Sequence, residues 1–240
     1  MKKAVKEKMV DPAKIGAEVR ARIAPALPGI GIIAKNQQFL DRIEHLATTL
    51  ALWGPKINLT ANPTDPDEIV FHIFDSLIPI SLAVAGKVLK LRAPSEPERR
   101  IADIGSGAGF PGLVIAAALN AHVTLIESRR KRATFLEAAA MEMELRDVTV
   151  EGRRAEEVGS APGGFDLVTA RAVGRPGELF AVAARLLHPG GLLMLYAGGS
   201  TRFDRAEAVA AGLVENTVLD YDLRHGKSES RRVAVVWTRH

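Results

Sequence analysis

The stretch Ile101-Ala-Asp-Ile-Gly-Ser-Gly-Ala-Gly-Phe-Pro-Gly112 constrains this chain more than any other. A short apolar run ends at Asp103 and Ile104. Three glycines then alternate with small residues at Gly105, Gly107 and Gly109, and an apolar helix-forming run follows from Leu113 to Leu119. That order predicts a strand, a tight turn and a helix. Glycine takes positive φ without a Cβ clash and lets backbone come close to a ligand. The first N–H groups of a helix have no partner inside it, and its dipole is positive at that end. Such a turn suits a nucleotide-like ligand lying over the C-terminal edge of a sheet.

Beyond Arg100, strand and helix patterns alternate. Strand patterns fall at Ile101–Ile104, His122–Ile126, Val148–Glu151, Phe165–Ala170, Leu192–Tyr196, Leu213–Leu219 and Arg232–Thr238. Helical patterns fall at Gly112–Leu119, Arg130–Leu145, Gly177–Leu187 and Phe203–Ala211, with a short turn at Ala155–Val158. Apolar strands alternating with helices predict a parallel sheet covered on both faces. Only Asp220 to Ser230 separates the last two strands, which predicts a hairpin and an antiparallel C-terminal edge strand. A seven-stranded, mostly parallel sheet of this kind is the α/β, Rossmann-like layout of class I AdoMet-dependent methyltransferases.

Before the glycine stretch, Phe39, Leu40, Ile43, Leu46, Ala47, Leu50 and Trp53 recur at helical spacing, and Gly54-Pro55 predicts the end of that helix. Asp65 or Asp67 is expected to cap a second helix to about Ala85, with Ile69, Ile73, Leu77 and Ile80 on one face and Pro79 as a point of shortening or kinking. The chain therefore divides into a basic, flexible extension over residues 1–35, an N-terminal helical segment over 36–98 packed on the core, and an AdoMet-binding domain over 99–240. No apolar run is expected to span a bilayer. The lysine-rich start leads into no signal-like apolar region, and cysteine is absent. Both fit a cytoplasmic protein. A formal net charge of +4 is weak support for an anionic partner such as nucleic acid.

The ligand follows from register. Gly107-x-Gly109-x-x-Gly112 satisfies a dinucleotide pattern, but the strand ends at Ile104, so the turn starts at Gly105. In that register the third dinucleotide glycine is replaced by Phe110. The resulting Asp-x-Gly-x-Gly-x-Gly is the methyltransferase form. Asp103 is then placed to reach the methionine ammonium, or else caps its own turn. Glu127 ends the second strand, where an acidic residue accepts ribose hydroxyls; the alternative is a carboxylate favoured by a helix start. Arg129-Arg-Lys-Arg132 opens the next helix against its dipole, as an RNA-phosphate contact or as a solvated face.

Four segments carry a closer resemblance. Trp53-Gly-Pro-Lys-Ile-Asn-Leu-Thr60, the run Ile69 to Leu77 containing His72-Ile-Phe-Asp75-Ser-Leu, the loop Asp103 to Gly112 and Thr169-Ala-Arg-Ala172 together resemble the bacterial 16S ribosomal RNA guanine-N7 methyltransferases, the glucose-inhibited division protein B family. The resemblance runs from about Asn36 onward. It implies AdoMet as methyl donor, backbone contact at Gly105, and Phe110 beside the cofactor. It implies Ala155 and Glu156 over the adenine, and a functional Arg171 at the end of the fourth strand. An ion pair with Asp166 is the alternative for Arg171, and a buried brace is the alternative for His72 and Asp75. A lysine common in relatives after the fifth strand is replaced by Ala197, with Arg202 and Arg205 as nearby substitutes.

The chemistry implied is methyl transfer to guanine N7 in 16S ribosomal RNA, free or in the small subunit. N7 carries a lone pair and no proton, so no general base is needed and no catalytic side chain is assigned. Holding N7 in line with the methyl supplies most of the catalysis. The six histidines lack metal-ligand spacing. No membrane and no obligate protein partner is expected. A small-molecule methyltransferase, an NAD-dependent oxidoreductase and a non-catalytic RNA-binding protein are the competing readings.

Overall fold

The computed structural model describes residues 10–31, 37–90, 98–119, 121–159, 163–171, 176–226 and 228–240. Its strands are β1 (Arg99–Ile104), β2 (Ala121–Ile126), β3 (Val148–Glu151), β4 (Phe165–Arg171), β5 (Leu187–Gly198), β6 (Leu213–His225) and β7 (Ser228–Arg239). They form one sheet in the order β3-β2-β1-β4-β5-β7-β6. Pairing is parallel from β3 to β5 and antiparallel on both sides of β7. Parallel pairing carries the C-terminal ends of β1, β2 and β4 to one edge, where the glycine turn lies.

Period-two alternation builds two cores. Ile101, Val123, Leu125, Leu167, Met194, Ala234 and Val236 face one layer of helices. That layer holds α2 (Gln37–Ile57), α3 (Pro66–Ala85), α4 (Gly112–Ala118) and α5 (Arg130–Glu142). Ala102, Ile104, Val168, Leu193, Val235 and Trp237 face the other layer, α6 (Pro176–Leu186) and α7 (Arg205–Ala210).

The seven-stranded, mostly parallel α/β fold is the one expected. The predicted hairpin supplies its antiparallel part, and within that hairpin β7 takes the inner place and β6 the outer edge. The side chains explain the order. Val233 to Trp237 are buried without a break, which requires cover on both faces and a strand on each side. β6 alternates buried and exposed residues and tolerates the edge.

The N-terminal part departs from expectation. Within the extension read as flexible, α1 (Pro12–Ile23) forms and packs on α2. Asp11 caps it by accepting from the Ala13 N–H at 3.1 Å, and Ile15, Val19 and Ile23 are buried. Its basic side chains pair with acids on other helices: Arg20 with Asp41 at 2.6 Å and Glu44 at 2.9 Å, and Arg22 with Asp67. Basic side chains of a stretch expected to be flexible are therefore matched across a helix interface. Residues 1–9 and 32–35 of the expected extension, and 36 and 91–97 of the expected helical segment, lie outside the described residues.

α2 also runs past Gly54-Pro55 to Ile57. Pro55 sits in the last turn, where it removes one helical hydrogen bond, to the Ala51 carbonyl, without ending the helix. The helix stops at Asn58, whose φ of 53° is a left-handed conformation that asparagine tolerates, and its N–H donates to the Gly54 carbonyl at 3.0 Å. α3 continues through Pro79 to Ala85. Contrary to the sequence-based expectation, α3 is long and apolar enough to cross a bilayer by length and composition. Here Ile69, Ile73, Leu77 and Ile80 are fully buried in the protein core.

Candidate cofactor and substrate cleft

The glycine turn is held from behind. Gly105, Gly107 and Gly109 have φ of 71°, 53° and 85°. A Cβ on Gly109 would lie 2.4 Å from Leu113 Cδ1, so neither its conformation nor its neighbours admit a side chain. Gly112 is constrained by space alone: a Cβ there would meet Leu125 Cδ2 at 2.4 Å and Asp103 Oδ2 at 2.7 Å. Asp103 is fully buried. Its Oδ1 accepts from Thr169 Oγ1 at 2.8 Å and its Oδ2 from the Gly112 N–H at 3.2 Å. The carboxyl thus faces away from the cleft and ties β1 to β4 and to the start of α4. Burial raises its pKa to about 6, against the lowering effect of hydrogen bonds from Thr169, Ser106 and Gly112. The helix start expected to greet the ligand is spent internally: Gly112 N–H on Asp103, and Leu113 N–H on the Gly109 carbonyl at 2.8 Å.

Glu127, at the end of β2, is also buried. It accepts from the Gly107 N–H at 3.1 Å and from the Arg129 N–H at 2.8 Å, which joins the glycine turn to the start of α5. Ala155 and Glu156 form a 3-10 turn after β3. Arg185 on α6 fixes that turn by donating to the carbonyls of Ala155 (2.8 Å), Glu156 (3.2 Å) and Val158 (2.7 Å).

Facing the turn is α3. An open cleft of about 540 Å³ is lined by Gly105, Ser106, Gly107 and Phe110 on the loop, by Glu68, Phe71, His72 and Asp75 on α3, and by Arg171, Arg132, Arg232 and His225. Asp75, with no exposure at all, is its centre. It accepts from Arg171 at 3.1 Å, from Arg232 through Nε and Nη2 at 2.9 Å each, and from the Tyr221 hydroxyl at 2.8 Å. Burial alone would raise this carboxylate; the Arg232 hydrogen bonds and the charges of Arg171 and Arg232 outweigh it and hold the pKa below the ordinary range. Burial, then the Arg171 charge, lowers His72 to about 4. His72 is therefore neutral near pH 7, and its Nδ1 accepts from Arg171 at 3.3 Å. Burial would raise Glu68 too, but hydrogen bonds from Asn62 lower it.

The structure thus brings Gly105, Gly107, Phe110 and Arg171 together in one cleft, with Asp103 and Gly109 supporting the loop from inside. Glu127, Ala155 and Glu156 lie beyond the lining of that cleft. Arg171 pairs with Asp75 rather than Asp166, whose carboxylate instead accepts from the Arg100 N–H at 2.8 Å and contacts His188. Ala172, last residue of the Thr169–Ala172 segment, lies outside the described residues. Arg202 and Arg205, offered as substitutes for the missing lysine at Ala197, line a separate groove against Phe203 and Val218. Sequence reasoning missed Arg232, Tyr221, Glu68, Phe71 and His225. Arg232 left a signal: it continues the phase of Ala234 and Val236, which face the core. A cation in the buried phase of a strand requires a buried anion.

A 3-2-1-4-5-7-6 sheet with a glycine turn after its first strand and a buried acid ending its second defines a class I AdoMet-dependent methyltransferase. A model for rRNA small subunit methyltransferase G matches residues 39–232. Similar relatives carry the same description. The one from Sorangium cellulosum is 38% identical over 189 residues, 77% of this chain and 74% of that protein. The one from Wolinella succinogenes is 35% identical over 165 residues, 68% and 77% respectively. The chain belongs to this family and is an rRNA small subunit methyltransferase that uses AdoMet. Among solved structures, MtNAS in complex with MTA and tNA shares the fold at a TM-score of 0.57 and 12% identity, over 95% of this chain and 97% of that one. The YcgJ protein of Bacillus subtilis does so at 0.52 and 14%, over 68% and 99%.

Proposed function

We propose that the methionine part of AdoMet lies over Gly105 to Gly109 beside Phe110, with the ribose on Glu127 and the adenine beside Ala155 and Glu156. The residues fit that group. The turn has no Cβ at three alternating positions, Glu127 is anchored at the sheet edge, and Arg185 fixes the backbone at the adenine end. Asp103 acts from behind the loop, which is a departure from direct contact with the ammonium. AdoMet supplies an electrophilic methyl on a sulfonium centre. Every other contribution belongs to the chain.

The target guanine enters the cleft between the glycine turn and α3. Its N7 needs no base, so these residues orient it and manage charge. The methylated guanine is cationic, and a cleft lined by two free guanidinium groups would penalise it. Asp75 and Glu68 offset Arg171 and Arg232, and His72 stays neutral. Electrostatic preorganisation of this kind is worth most in a partly dry site. The N7 edge lies in the deep groove of an RNA helix, so the target sits in a loop or opened segment. Exposed Arg129, Arg130 and Lys131, next to the cleft residue Arg132, offer phosphate contacts that position the RNA. The substrate is the 16S ribosomal RNA of the small subunit, in the cytoplasm, without an obligate protein partner.

The observation that carries this reading is the single cleft shared by the glycine turn and the Asp75 network. Its test is transfer of label from methyl-labelled AdoMet to unmodified small subunits. 7-Methylguanine in 16S ribosomal RNA is expected, and its loss in Gly105→Asp together with AdoMet affinity by calorimetry. Label in metabolites or protein and none in RNA would overturn it.

A further inference from the structure

One wall of the cleft is more than the cofactor needs. Phe71 on α3 is half-buried and belongs to neither core cluster. The tip of the β6–β7 hairpin brings exposed His225 against it, with ring centroids 5.3 Å apart at 44°. Phe71 meets His72 at 5.5 Å, and His72 meets Phe110 at 5.1 Å. The Arg232 guanidinium lies 5.8 Å from the Phe71 ring centroid, and Arg171 lies 5.4 Å from that of Phe110. All line the same cleft. The result is a run of π surfaces from the cofactor loop out to the hairpin tip, with guanidinium groups fixed over it by Asp75.

Packing explains Phe110, which is in the core. It does not explain a large aromatic placed at the cleft and left out of both cores. A base drawn out of its stack loses its neighbours, and an enzyme recovers part of that loss by stacking it on aromatic side chains. We infer that Phe71 and His225 form the stacking face that receives the target guanine before its N7 reaches the cofactor end of the cleft at Phe110, with Arg232 holding the base at its edge. The inference rests on the reading of this chain as a guanine methyltransferase of ribosomal RNA. Phe71 and His225 act on the RNA side only and leave AdoMet binding alone.

The test compares Phe71→Leu, Phe71→Tyr and His225→Ala with wild type on unmodified small subunits, measuring KM, kcat, AdoMet affinity by calorimetry and thermal midpoint. Leucine keeps apolar volume and removes the ring. Phe71→Leu is expected to raise KM for the subunit about tenfold, with AdoMet affinity and midpoint unchanged. Phe71→Tyr is expected to behave as wild type, and His225→Ala to raise KM about threefold. A Phe71→Leu enzyme with wild-type KM makes Phe71 an apolar filler and overturns the inference. Lost AdoMet affinity in Phe71→Leu assigns the wall to the cofactor and also overturns it. A wild-type enzyme that leaves the subunits unmethylated fails at the level of the function itself, and the stacking face falls with it.

Discussion

Asp103 and Asp75 are both completely buried, and they behave in opposite ways. Asp103 has only neutral hydrogen-bond donors, so burial dominates and its pKa rises to about 6. Asp75 has two guanidinium groups, which overcome the same burial and lower it. Burial sets the penalty, and the partners decide its sign. The first carboxyl is structural glue for a loop. The second is the counter-ion that lets two arginines stand in one cleft.

The comparison breaks most sharply at Asp75. Asp75→Asn leaves Arg171 and Arg232, with side chains only 14% and 19% exposed, without their anion. Such an uncompensated charge costs about 3–5 kcal/mol. Urea unfolding is expected to show a loss of this order, accompanied by loss of methyl transfer. A variant as stable as wild type would make the network dispensable.

Asp103→Asn should act in the other direction with pH. A carboxyl with a raised folded-state pKa contributes stability below its unfolded value near 3.8, and that contribution is lost as pH rises through about 6. Asp75 and Glu68, with lowered values, lose their contributions only as pH falls below the ordinary carboxylate range. Between pH 4 and pH 7 wild type is therefore expected to lose roughly 2–3 kcal/mol relative to Asp103→Asn. Urea midpoints of both proteins at the two pH values check this, and a constant difference would refute the assigned titration.

The smallest effect is expected at His72. Its pKa near 4 keeps the ring neutral from pH 6 to 8. His72→Gln should change the rate of methyl transfer by less than about threefold and leave the shape of the pH–rate profile over that range unaltered. A step near pH 6.5 in wild type that vanishes in the variant would contradict a neutral His72.

Much of the fold was legible because its signals are local. The strands and helices of residues 99–240 follow periodicity, and the glycine turn follows from residues that only one backbone path accepts. Arg171 was readable as a cleft residue from its place at a strand end. Its partner was not, because Asp75 is 96 residues away on another helix. Tyr221 and Arg232 reach the same carboxylate from the hairpin, 146 and 157 residues away. α1 was misread because its charges carry no record of Asp41, Glu44 and Asp67 on neighbouring helices.

The sequence alone determined the alternation of strand and helix, the backbone conformation at Gly105, Gly107 and Gly109, and the family resemblance of four short segments. These depend on steric limits and on spacings within a few residues. Tertiary structure decided that β7 would lie inside β6, that Asp103 would turn away from the cleft, and that one carboxylate would gather two arginines and a tyrosine. Those outcomes depend on which groups share a desolvated space. Desolvation and charge pairing act through distance in space, which a linear sequence does not record.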